Sequence, residues 1–338
     1  MTDKNWNKLL EFETRDLVER YMKKRHGRSA SARQILEITS NFIQAREYFI
    51  NAKKSAISVK PLLQYYGVSA LSRGLILAIS PKTSEASMKP SHGLDAHNWR
   101  ESLSNKKFED LTITIRSGTF YELLKATSNK SYFKNNSSGI SWKIEFEIPK
   151  EGSKISFIDL IQTISDISEE YESCFEKKLN YVQLEMFKPT NTSNEYEYLV
   201  RKNSNNENAI SKIFPQKDFE NLIKINNNQI IATDKIIPQF SQRFYDNFNA
   251  GIGEIVLTKA IDKNILLNTL SQFYALSFFL GMLSRYYPSD WISISRTEKG
   301  DAIYPLFIKA IDLIEKYFPL TVLEFLQGPY EFENKNSD

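Results

Sequence analysis

Groups able to exchange a proton near neutral pH are scarce in this chain: three histidines and a single cysteine among 338 residues. His92 is the most informative of them. It follows Lys89, Pro90 and Ser91 and precedes Gly93, in a polar stretch where an imidazole could act as acid, base or phosphate ligand. The same residues have a structural use, with His92 capping a helix or pinning a loop and Gly93 supplying a positive φ. Tyr65, Tyr66 and Arg73 lie on the apolar stretch just before, Arg73 two helical turns beyond the tyrosines. A guanidinium within so apolar a helix needs a carboxylate, backbone carbonyls or a ligand phosphate, because an unpaired buried charge is costly. The expectation is a structural ion pair. Arg285, Tyr286 and Trp291 repeat the theme of a cation among aromatics, able to stack a base or a peptide side chain or to close a core. A basic run, Lys23, Lys24, Arg25, His26, Gly27 and Arg28, offers phosphate contacts. It also reads as a solvated helix end, with cations near the C-terminus and Gly27 as the stop.

Several chemistries are excluded as unsupported. There is no G-x-S-x-G, Walker A, G-x-G-x-x-G or H-E-x-x-H pattern. Cys174 lies in EEYESCFEKK, where neighbouring carboxylates raise a thiol pKa rather than lower it. One cysteine forms no intrachain disulfide, and with three histidines it leaves no cluster for structural zinc. No metal and no cofactor is expected. Asp159, Asp166, Glu169, Glu170 and Glu172 read as exposed helix faces, with no paired-carboxylate spacing among them. A net charge of +3 from 44 basic and 41 acidic residues is too balanced to demand a polyanion. The N-terminus mixes acids and bases, unlike a signal peptide. No uninterrupted run reaches the ~18 apolar residues of a membrane span. The chain is expected in a reducing compartment, the cytoplasm.

These residues must be held by larger elements. Apolar residues at Trp6, Leu9, Leu10, Leu17, Val18 and Tyr21 suit one helix or two short ones. Ile35, Ile38, Phe42, Ala45, Tyr48, Phe49 and Ala52 define a long amphipathic helix after N-cap candidates at Ser29 to Ser31. Pro61 opens the central helix, apolar on nearly every face, and Pro81 ends it. Residues 82–91 are predicted as a polar loop leading to His92, with a short helix at His97, Trp99 and Leu103. Period-two alternation then begins at Leu111, Ile113 and Ile115. Strands are predicted at 111–116, 140–148, 181–187, 195–200, 229–233 and 252–257, with helices at 120–126 and from Ser156 to about Ile167. The turn-rich 189–194 and Asn-rich 203–208 and 226–229 read as loops. A second buried helix runs from Leu266 to Arg285, and two more are predicted at 301–317 and 320–326. The fold class is therefore α+β, mainly helical: a multi-helix core with a mixed or antiparallel sheet insertion. Expected segments are residues 1–105, helical; 106–262, the sheet insertion; 263–330, helices returning to the first part; and 331–338, a flexible tail.

The motifs PLLQYYGVSALSRGLIL, HGL, FYALSFFLGMLSRYYPSDW and IYPLFIKAIDLIEKYFP resemble the bacterial YaaC-like family over about residues 35–325. That resemblance implies an architecture and no stated reaction. AREYFINAKKS with QYYGVSALSRGLIL is more distantly similar to the first two helices of HEPN-type domains. Their ribonucleases carry an Arg, four to six residues and a His on a later helix. Here Arg20 and His26 have that spacing but precede the matching helices. The reading from sequence is a non-catalytic interaction or scaffold protein, a homo-oligomer or subunit of a complex in defence or nucleic-acid processes, with no membrane role. Its alternative is an HEPN-like RNA-binding protein or metal-independent ribonuclease using His92 and Arg73. Binding residues would be Tyr65, Tyr66, Lys89, Ser91, His92, Gly93, Arg285, Tyr286 and Trp291, with Lys23, Lys24, Arg25 and Arg28 as a basic patch.

Overall fold

The central helix explains the fold best, because helices pack on it from several sides. In the computed structural model the described residues are 4–97, 99–136, 139–186, 195–200, 213, 223–226, 229–233, 241–243, 255–261, 265–296 and 301–328. Helices α1 (Lys4–Leu9) and α2 (Arg15–His26), joined by a 3-10 turn, precede α3 (Ala32–Lys54) and the central α4 (Lys60–Ile79). Then come α5 (Trp99–Ser104), α6 (Thr119–Ala126), α7 (Phe157–Ile161) and α8 (Ser168–Phe175). The chain closes with α9 (Thr269–Tyr286), α10 (Pro288–Ser295) and α11 (Tyr304–Gln327). The class is mainly helical α+β.

α3 begins at a capping box in which Ser31 Oγ accepts from Gln34 N–H and Gln34 Oε1 accepts from Ser31 N–H, both at 3.2 Å. α3 and α4 form an antiparallel pair, since Gly67 faces Phe49 and Gly74, one α4 heptad later, faces Phe42. A Cβ at either glycine would lie 2.8 Å from the phenylalanine ring. These two positions let the backbones approach closely. Across α4 the same device recurs: Gly281 of α9 sits against Tyr65, where an added Cβ would meet Tyr65 Cβ at 2.8 Å. A third side is fixed by Gln64 Nε2 donating to Ile311 O of α11 at 2.8 Å. α4 is long and apolar enough by composition to cross a membrane, but 67% of its apolar window is buried inside the protein, as expected for a core helix wrapped on several faces.

The strands are β1 (His92–Ala96), β2 (Thr112–Gly118), β3 (Lys130–Asn136), β4 (Gly139–Glu145), β5 (Lys154–Ser156), β6 (Tyr181–Met186), β7 (Glu195–Val200), β8 (Ile223–Asn226), β9 (Gln229–Thr233), β10 (Ser241–Arg243) and β11 (Ile255–Thr258). They form three sheets, ordered β1-β2-β5, β3-β4 and β10-β11-β6-β7-β9-β8. Every strand pair among the described residues is antiparallel.

Three expectations need correction. His92 is not in a loop but begins β1, paired with Gly118 of β2; so a strand N-terminal to residue 105 already belongs to a sheet. Five residues interrupted by a bulge are too few for a period-two signal. Second, α11 runs straight through Pro319, where two helices were expected. An interior proline costs about 3 kcal/mol, yet Ile314, Tyr317, Phe318, Val322, Phe325 and Leu326 are all buried around it. At about 1.5–3 kcal/mol for each such side chain, burial outweighs the break. Third, Asp166 is buried at 7% exposure, and Asp159 holds Lys259 at 2.8 Å and the Ser156 hydroxyl at 2.6 Å; neither is a solvated face. The predicted loops at 189–194 and 203–208 and the tail at 331–338 lie outside the described residues.

Candidate binding cleft

β1 reaches the core through two glycines. Gly93 has φ 78° at a register shift between His92 and Leu94, the left-handed conformation that glycine adopts without penalty. A Cβ there would lie 2.7 Å from Phe120 N and 2.9 Å from Gly118 C. The backbones of β1 and the β2–α6 junction are thus in direct contact. Ser91 secures the approach: its Oγ donates to Ser117 O at 2.7 Å, and its carbonyl accepts from Thr119 N at 2.9 Å. Lys89 donates to Ser117 Oγ at 2.6 Å. Lys89, Ser91 and Gly93, read from sequence as binding residues, are therefore employed in fixing β1.

The bulge turns the His92 ring into an aromatic layer. It meets Tyr65 edge-on at 5.3 Å and Phe278 at 6.2 Å between centroids. Tyr274 Oη donates to His92 O at 3.0 Å. Burial, and secondarily the charge of Arg285, holds the His92 pKa below its usual value. The imidazole is neutral at pH 7, and its ring nitrogens have no hydrogen-bond partner among the described residues. Beside it, the Tyr65 hydroxyl is buried, and the Tyr65 ring meets Tyr274 edge-on at 6.1 Å between centroids. Burial raises the Tyr65 pKa far above the ordinary range, with Tyr274 a further contributor. Burial pushes the Tyr274 pKa up to about 12. Both phenols stay protonated at neutral pH.

In front of His92 is a cleft of about 460 Å³. One wall is β1, with His92, Leu94, Asp95 and Ala96. The opposite wall is a stripe along α9, Phe278, Met282 and Tyr286, spaced by four residues, with Tyr287 beyond it and Arg100 of α5 at the side. Phe278 is buried and Tyr286 is 54% exposed, so the cleft opens toward the end of α9. Asp95 Oδ2 lies 2.6 Å from His97 Nε2 and 3.8 Å from Arg116 Nε. Arg100 and Arg285 are exposed guanidiniums with no carboxylate partner among the described residues. Arg285 stacks on Tyr286 at 4.8 Å and on Tyr66 at 5.9 Å, and Tyr66 continues to Tyr48 at 5.5 Å.

The remaining sequence candidates lie elsewhere. Arg73 meets Glu85 at 3.6 Å, the ion pair expected of it, and is not among the cleft's lining residues. Glu85 also accepts from Asn41 Nδ2 at 2.8 Å, and its N–H donates to Glu37 Oε2 at 3.0 Å. Trp291 is fully buried and donates to Ile57 O at 3.0 Å; it closes the core, whereas its expected companions Arg285 and Tyr286 face solvent. Gly27 ends α2 at φ 66°. Arg25 donates to Phe325 O and Leu326 O of α11, each at 3.1 Å, His26 Nε2 lies 2.8 Å from Ala78 O of α4, and Arg28 bonds Pro81 O. Part of the basic patch thus holds helix C-terminal carbonyls; Lys23 and Lys24 are exposed. Cys174 is half-buried, and burial, with Glu109, pushes its pKa up to about 11. No three His, Cys, Asp or Glu side chains group as metal ligands among the described residues. Reasoning from sequence missed Asp95, Arg100, Phe278, Met282 and Tyr287; only the four-residue stripe on α9 was available as a signal.

The motifs now placed on α4, β1, α9 and α11 all fall within residues 10–326, the span over which the family model described as YaaC-like Protein matches. The chain belongs to the YaaC-like family. No curated protein and no solved structure compared with it matches. The HEPN resemblance of α3 and α4 has no counterpart in these comparisons. This YaaC-like chain therefore carries its functional evidence in its own cleft.

Proposed function

We propose that this YaaC-like protein is a non-catalytic binding protein of the bacterial cytoplasm, and that the cleft between β1 and the end of α9 is its recognition site. The observation that supports it is a concave site lined by Arg100, an exposed guanidinium with no carboxylate partner among the described residues, and by the exposed Tyr286, over whose ring Arg285 lies. About 460 Å³ falls within the ~300–1,000 Å³ of small-ligand sites. Catalysis is less well served: Tyr65 and Tyr274 are held protonated, Asp95 is shared with His97 and Arg116, and Arg73 is taken by Glu85. The test is a thermal-shift screen of anionic and aromatic metabolites on the wild type, Arg100→Gln and Tyr286→Ala, with mass analysis of the recovered ligand. Hits should stabilise only the wild type and return unchanged. Equal stabilisation of all three proteins, or conversion of the ligand, counts against the reading.

A second reading concerns assembly with another copy of the chain. Leu36 and Ile43, 65% and 36% exposed, lie two turns apart on one face of α3, two apolar side chains that a symmetric contact would cover. Light scattering should show an oligomer that Leu36→Glu converts to monomer. A wild-type monomer at high concentration overturns it.

A further inference from the structure

We infer that the cleft takes a nucleoside monophosphate, with the base on the Tyr286 side and the phosphate at Arg100 and His92, the charge of Arg285 lying beside them. The inference rests on the cleft being the recognition site. Stacking needs an exposed π-face beside apolar side chains, and Tyr286, 54% exposed, lines the cleft together with Met282 and Tyr287. Tyr287 is itself backed by Trp99, parallel within 26° at 6.0 Å, so the platform is supported from behind. Arg285 lies over the Tyr286 ring and presents its charge along the same edge.

The anion follows from what the cleft leaves unpaired. Arg100 has no carboxylate partner among the described residues and offers a planar fork suited to phosphate. Arg285, held over the Tyr286 and Tyr66 rings, adds positive charge beside the cleft rather than within its lining. A neutral imidazole adds one N–H donor without adding charge, so the donors match a phosphate dianion better than a monocarboxylate. Asp95 prevents the cleft from being uniformly basic. Its Oδ2 carries both the His97 and Arg116 contacts, which leaves Oδ1 to accept from a base N–H or a ribose hydroxyl. A bare phosphate would leave the aromatic wall and Asp95 unused. An uncharged nucleoside would leave both guanidiniums unused.

The experiment is calorimetric titration of the full chain with GMP, AMP, guanosine, inorganic phosphate and 4-hydroxybenzoate, repeated on Arg100→Gln and Tyr286→Ala. At least one of the two nucleotides should bind about tenfold or more tightly than guanosine or phosphate alone. Each substitution should weaken it about tenfold, in line with loss of a charge-assisted bond or one stacking contact. Both side chains are exposed, and melting curves of the variants should overlay that of the wild type. Binding of 4-hydroxybenzoate that depends on Arg100 and Tyr286, with no nucleotide binding, overturns this inference and leaves the binding function standing. Nucleotide binding that neither substitution alters overturns it too. Failure of every probe in the titration and of the metabolite screen overturns both.

Discussion

Two glycines with left-handed backbones separate conformational strain from steric conflict. Gly27 (φ 66°) caps α2 with nothing within 4 Å of where a Cβ would stand, whereas at Gly93 (φ 78°) a Cβ would meet Phe120 N at 2.7 Å, Gly118 C at 2.9 Å and Phe120 Cβ at 3.0 Å. Alanine at either position incurs the left-handed cost of about 1–2 kcal/mol, reduced by about 0.4–1 from a less flexible unfolded chain. Gly27→Ala should therefore lose about 1 kcal/mol. Gly93→Ala adds a conflict with backbone atoms, which cannot rotate aside, and overpacking of that kind costs about 1–3 kcal/mol more. The expected loss is about 2–4 kcal/mol. Urea denaturation of both variants, read at equal m-values, measures the difference. Equal losses would refute the claim that β1 is pinned by backbone contact. A Gly93 variant as stable as the wild type would further refute the bulge itself. Because His92 precedes Gly93, the Gly93 variant should also lose cleft-dependent ligand binding, while Gly27→Ala keeps it.

Stability should fall on acidification from about pH 7 to about pH 5.5, because His26 and His92 both have folded-state pKa values below the ordinary 6.5. The unfolded chain then binds more protons than the native one, and stability is lost as pH drops through the unfolded value toward the folded ones. His92→Gln should reduce that loss, by up to ~1.4 kcal/mol per pH unit; an unchanged acid limb in pH-dependent denaturation contradicts it. Glu37, 6% exposed, receives the Glu85 N–H and the Arg33 guanidinium. Glu37→Ala should destabilise by about 1–3 kcal/mol through the orphaned N–H, whereas Arg33→Ala, at a 74% exposed side chain, should change stability by less than about 1 kcal/mol. Similar losses for the two would argue that the ion pair, rather than the buried acceptor, matters. Pro319→Ala should stabilise α11 by about 1–2 kcal/mol, the regained helix bond exceeding the entropy returned to the unfolded chain; a lower melting temperature would mean that the proline ring's packing dominates.

The helices were legible wherever apolar residues recurred over several turns, as in α3, α4 and α9, because a helix keeps its neighbours within its own sequence. The Ser31 cap, the Gly27 stop and the Ser156 cap were readable for the same reason. What the sequence hid depends on distant partners. Pro319 looks like a terminator until the burial on both sides of it is known. β1 is short and bulged, and its pairing with a strand distant in sequence, β2, is set by Gly93 and Gly118 meeting backbone to backbone. The use of the glycines of α4 and α9 appears only once Phe42, Phe49 and Tyr65 fill the space above them.

The same division accounts for the cleft. His92, Tyr286 and Arg285 were singled out by residue type, but Arg100 and Asp95 were not, since nothing local distinguishes them from other surface charges. What makes them part of a site is where packing places them: Asp95 on the cleft wall with His97 and Arg116 both on its Oδ2, and Arg100 at the cleft's side with no carboxylate partner among the described residues. Arg73 is the counter-example: its place in an apolar helix called for a partner, and the 3-10 turn holding Glu85 supplies one. A guanidinium partly buried on a core helix, as Arg73 is, is paired by the fold itself, so it is seldom free for a ligand. An exposed one beside aromatics has no such obligation. On that physical ground ligand contact is expected of Arg100 and of Tyr286 with Arg285 over its ring, and His92, packed on the buried Tyr65, forms the floor of the cleft.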